Sequence, residues 1–141
     1  MDLHPFVVHF PVALLVVSLA FELAGIYTKR EDFSRTAWRV QILGTAGALT
    51  AVATGLLAQS RQTFAGEARE ILESHQQIAF AIAALFVFLL LWRISANGRV
   101  PSSRRMMYML LFAAGVLLLL AGAWYGGELV YRYGAGVRTL Q

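Results

Sequence analysis

No cysteine occurs in the 141-residue chain, which excludes disulfides, thiolate metal sites and thioether-attached haem. That composition is compatible with exposure to an oxidising periplasm. Charge is scarce too: Asp, Glu, Lys and Arg make up 14% of the residues, while 58% are hydrophobic. Soluble domains carry roughly 25% charged and about 45–50% apolar residues, and a soluble fold of this size could not hide the surplus apolar surface. Phosphate loops, metalloprotease motifs and nucleophile–base constellations are missing, which leaves hydrolytic enzymes without support. A transporter is disfavoured by the few polar groups at mid-span and the lack of a broken-helix pair. No internal repeat or low-complexity segment is visible.

What is present is four long apolar stretches. Residues 6–27 hold only His9 and Glu22 as ionisable groups before Tyr27, and 40–58, 78–92 and 106–127 are uncharged. A helix needs about 20 apolar residues to cross a hydrocarbon core of roughly 30 Å, so the third must begin earlier, in polar sequence. The expected fold is all-α: an integral membrane four-helix bundle, up-down-up-down, in one domain. Its spans fall at about 5–27, 37–58, 74–95 and 105–127, with an outer loop at 59–73 and an outer tail at 128–141. The first span lacks the basic leader of a signal peptide and is expected to be retained.

Orientation follows from the cations. Lys29, Arg30, Arg35 and Arg39 lie between spans one and two, and Arg93, Arg99, Arg104 and Arg105 between three and four. Only Arg61, Arg69, Arg132 and Arg138 lie at the other end. Cytoplasmic loops gather Lys and Arg, so both termini are expected outside. This clustering, not nucleic-acid binding, accounts for the net charge of +4. Trp38, Trp92 and Trp124 near span ends suit an aromatic belt.

Ser34 or Thr36 is expected to cap the second helix. Asn97-Gly98 should end the third, and Pro101-Ser102-Ser103 should open the fourth. Gly44, Ala48, Ala51 and Gly55 form a small-residue stripe, as do Gly115 and Gly122. Such stripes favour close helix packing over a groove for a flat ligand. In the outer loop, Ala68, Ile71, Leu72 and His75 recur at helical spacing, which turns His75 into the bundle.

The three histidines are the candidate site. Ionisable groups in a span are costly and face the bundle interior, and neutral imidazole holds haem iron or a borderline metal. His4 and His9, five residues apart, diverge by about 140° around a helix. His4 precedes a proline and is expected at the helix start near the interface, with Pro5 as the first helical residue. His9 shares a side with Ala13, Val16, Ala20 and Ala24, whereas Ser18 and Glu22 lie on roughly the opposite side, nearer the direction of His4. His9 is therefore preferred to His4 as partner of His75, with Glu22 reaching the inner interface and the arginines of the first loop.

"HPFVVHFPVALL", "HQQIA" and "GGELVYRYGAGV" occur in this order, and together they resemble the bacterial membrane family labelled domain of unknown function 2231 over nearly the whole chain. The resemblance implies a four-helix membrane domain, in some cases associated with cytochrome-like modules, in the bacterial inner (cytoplasmic) membrane. It also implies that His4, His9, His75, Gly126, Gly127, Tyr131 and Gly134 sit in recurring motifs. It carries no activity.

The leading functional reading is a small b-type cytochrome. Haem b would stand between helices one and three, with His9 and His75 as axial ligands. Arg61, Arg69 and Arg132 would pair with propionates, beside Tyr131 and Tyr133. Such a protein is an electron carrier or redox subunit more than a stand-alone enzyme, exchanging electrons with a quinol or a periplasmic carrier. One alternative is a zinc or copper site using His4, His9, His75 and Glu73; another is a structural or assembly subunit without cofactor. The small-residue stripes leave room for a homodimer in the lipid bilayer.

Overall fold

The computed structural model describes residues 3–60, 64–100 and 102–136; Arg61 and Pro101 lie outside the described residues. Five α-helices follow one another: α1 (His4–Val7), α2 (His9–Thr28), α3 (Glu31–Gln59), α4 (Glu67–Ser95) and α5 (Arg105–Tyr133), with a 3-10 turn at Ser102–Arg104. Helices α1 and α2 make one segment, and the four resulting segments of 25 to 32 residues are all long and apolar enough to cross a membrane. At a rise of 1.5 Å per residue they measure about 38–48 Å, more than the hydrocarbon core requires.

The ends follow local chemistry. Lys29, at φ 57°, closes α2 in the left-handed region, and extended Arg30 leads directly into α3. Glu31 and Asp32 then place negative charge against the free amides of the first turn of α3. Neither Ser34 nor Thr36 caps that helix, because it begins earlier, at Glu31. The Ser34 hydroxyl donates to Glu22 instead, and Thr36 to the Asp32 carbonyl. Helix α4 does stop before Asn97-Gly98: both residues have positive φ, and the Gly98 amide returns to the Arg93 carbonyl at 2.9 Å. Helix α4 starts inside the expected outer loop, and α5 runs past residue 127 to Tyr133.

Helix α2 packs against α3 and α5, and α4 against α3 and α5, closing a four-membered ring. Its centre is Leu15, Phe86, Leu89, Tyr108 and Phe112, all at 0% exposure. Phe86 meets Phe112 edge-on at 5.3 Å, and Tyr108 meets Trp92 at 5.8 Å. The glycine stripes serve this packing. A Cβ on Gly44 would sit 2.8 Å from the Leu15 side chain, and one on Gly115 would sit 3.0 Å from Phe86. Large apolar side chains such as Leu43, Leu110, Leu117 and Trp124 cover the outside, where acyl chains solvate them as well as a core would.

One face is reversed from the expectation. The buried residues of α2 are Pro11, Leu15, Ser18, Glu22 and Gly25, whereas His9, Ala13, Val16 and Ala20 are exposed. In a membrane-spanning bundle apolar side chains lose nothing by facing lipid, but a hydroxyl or carboxylate does. Ser18 and Glu22 therefore decide the rotation of the helix, not the small residues.

Candidate functional site

That rotation determines which histidine enters the bundle. His4, Pro11, Leu15, Ser18 and Glu22 follow at intervals of 7, 4, 3 and 4, all on one side of a helix with 3.6 residues per turn. Val8, between α1 and α2, keeps a helical conformation at φ −61° and ψ −23°, so the phase carries through. His4 accordingly turns inward and His9 outward. The expected pairing of His9 with His75 is corrected: His4 faces His75, with ring centroids 6.2 Å apart and planes at 78°.

Both rings are held by their Nδ1 atoms. That of His4 lies 3.2 Å from the Thr54 hydroxyl, and that of His75 lies 3.0 Å from the Gly122 carbonyl oxygen, to which it donates. Each ring also rests on a glycine. A Cβ on Gly55 would come within 3.0 Å of His4 Cε1, and a Cβ on Gly126 within 3.1 Å of His75 Cε1. No side chain larger than hydrogen fits beneath either ring without displacing it. Gln76 and Gln59 are hydrogen-bonded to each other nearby in sequence, joining α4 to the end of α3.

The other expected participants stand elsewhere. Arg69 pairs with Glu73 at 2.9 Å, both exposed. Arg132 is engaged by Glu128 at 3.0 Å and Glu67 at 3.7 Å, and Tyr131 is 93% exposed. Arg69 and Arg132 therefore already have carboxylate partners; Arg61 lies outside the described residues. Among the described residues no three His, Asp or Glu side chains gather as a metal-holding group, so the set of His4, His9, His75 and Glu73 is not assembled.

A second polar cluster occupies the opposite end of the bundle. Arg93, counted above among the loop cations, is 1% exposed and lies 2.7 Å from Glu22 Oε2, itself 2% exposed. The contact is charge against charge without the alignment of a good hydrogen bond. Arg93 Nε donates to the Gly98 carbonyl at 3.0 Å, and Nη2 to the Ser34 carbonyl at 2.8 Å. Ser34 Oγ donates to Glu22 Oε1 at 2.8 Å, Tyr108 donates to Gln41 Oε1 at 2.9 Å, and Trp38 stacks over the guanidinium at 5.3 Å. Glu22 thus reaches not an arginine of the first loop, as expected, but Arg93 of α4 inside the bundle. Gln41, Arg93 and Tyr108 were not singled out in the sequence, although each is a polar group within or bordering an apolar run, the signal that gave Glu22 away.

The family model described as "predicted membrane protein (DUF2231)" matches residues 1–139. No curated protein and no solved structure matches the chain.

Proposed function

We propose, from the premise that this chain belongs to the DUF2231 family of membrane proteins, that it is a small membrane haem protein in which His4 and His75 would hold the iron. The observation that carries this reading is the facing pair of imidazoles at 6.2 Å, each anchored through Nδ1. Metal–imidazole bonds are about 2.0–2.1 Å long, so two rings with centroids 6.2 Å apart stand close enough that both could hold one ion. The Gly122 carbonyl fixes the tautomer of His75 through Nδ1 and would present its Nε2 to a metal, the usual arrangement around metal-bound histidine.

Two protein ligands complete neither a tetrahedral nor an octahedral ion. A macrocycle supplying four nitrogens fits that deficit better than a closed zinc site does. When bound, haem would supply reversible one-electron chemistry. The chain's part is to hold both rings, through Thr54 and the Gly122 carbonyl, and to let them approach through Gly55 and Gly126. We read the molecule as an electron carrier in the bacterial cytoplasmic membrane, up-down-up-down with both termini outside, since eight of the twelve cations lie towards the other end. A quinol or a periplasmic carrier would exchange electrons at the histidine end.

Absorption of the detergent-purified protein before and after dithionite tests this. A Soret band that shifts on reduction is expected, abolished by His4→Ala or His75→Ala and retained by His9→Ala. A colourless preparation, unchanged after haem supplementation, refutes it.

A further inference from the structure

The end of the bundle opposite the histidines holds a cleft of about 870 Å³ between the two short connections. Its size falls in the usual range for ligand sites, roughly 300–1,000 Å³, but such sites are mostly apolar. This one is not. Lys29, Arg30, Arg35, Arg93, Arg99 and Arg105 line it against only two carboxylates, Glu22 and Glu31, a lining charge of +4.

The cations divide into two groups. Arg30 is held by Asp32, Arg35 by Glu31 and Arg93 by Glu22. Lys29, Arg99 and Arg105 are exposed, and their side chains have no ion pair or hydrogen bond among the described residues. They come from three places in the chain: the end of α2, the connection after α4 and the start of α5. Ser102 and Ser103 add hydroxyls to the same wall. The Glu22–Arg93 pair and Trp38 form the floor from inside the bundle.

We propose that this cleft binds a phosphate-bearing anion, held by Lys29, Arg99 and Arg105. Guanidinium forks present paired donors that match phosphate oxygens. Convergence of three uncompensated cations around one concavity raises the local anion concentration beyond what scattered charges would. Two sources share this chemistry: the headgroup of an anionic phospholipid at the membrane surface, and a soluble polyphosphate. The assignment is independent of the haem reading, since it uses no residue of the histidine end.

Thermal unfolding of the full chain in zwitterionic detergent, titrated separately with phosphatidylglycerol and with inorganic pyrophosphate, tests the proposal. The comparisons are Lys29→Ala/Arg99→Ala/Arg105→Ala and the control Arg39→Ala, which removes a cation outside the cleft. Each cation near a charged surface contributes about fivefold in affinity, so the triple variant should bind on the order of 100-fold more weakly at low salt. Stabilisation by pyrophosphate that only the triple variant loses supports the site with a soluble ligand. Stabilisation by phosphatidylglycerol alone, again lost only in the triple variant, supports it with a lipid headgroup. No stabilisation by either probe, or equal stabilisation of wild type and triple variant, overturns it.

Discussion

Glu22 and Arg93 show what one buried pair demands of its neighbours. Removing one partner leaves the other charge uncompensated at 1–2% exposure, so Glu22→Leu or Arg93→Leu should each cost about 3–5 kcal/mol, measurable by thermal or denaturant unfolding in detergent. The double variant should cost less than the sum of the singles, and additivity would show that the two do not act as a pair. At the histidine end, Gly126→Ala puts a methyl 3.1 Å from His75 Cε1 and should displace the ring; a haem spectrum identical to wild type would show the contact to be irrelevant. Individual residues were partly legible. His75 could be turned inward from the spacing of Ala68, Ile71 and Leu72, whereas His9 was preferred to His4 because its small-residue side was weighed above the direction of Glu22. Arg93 was read as a loop cation because it ends an apolar run, and sequence alone does not show that the connection after it curls back to offer the Gly98 carbonyl.

At the scale of the helix, α2 is the informative element. Ala13 and Ala20 point out while Ser18 and Glu22 point in, the reverse of what small-residue packing suggests by itself. Two substitutions separate the faces. Ala20→Leu, on the exposed side, should change stability by no more than about 0.5 kcal/mol. Gly25→Ala places a Cβ 2.6 Å from Ser34 Oγ, pushing that hydroxyl off Glu22, and should cost about 1–3 kcal/mol. Equal effects in unfolding experiments would contradict the orientation of the helix. In α3 the stripe of Gly44, Ala48 and Ala51 was legible as an interface and is buried as such; there, no polar residue competes with the small ones for the inward direction except Gln41 and Thr45, which share their side.

For the whole molecule, four apolar segments follow from composition and run length alone, since no other arrangement hides so little charge and so much hydrocarbon. The contacts between them were not legible, because lipid-facing and core-facing positions are equally apolar and leave hardly any periodic contrast to read. The proposed orientation is open to direct measurement because there is no native thiol to remove. In intact cells a membrane-impermeant maleimide should label Ser60→Cys, and should label Ser103→Cys only after lysis; the opposite pattern would invert the molecule.

The glycines under the two imidazoles carry a mechanical consequence. Each ring lies against main chain, and each is tied by Nδ1 to a different helix from the one that bears it. The gap between the rings therefore works as a caliper on the spacing of the bundle at that end. A spread of the helices at that end would show as a change in the jaw opening and not in the shape of either side chain.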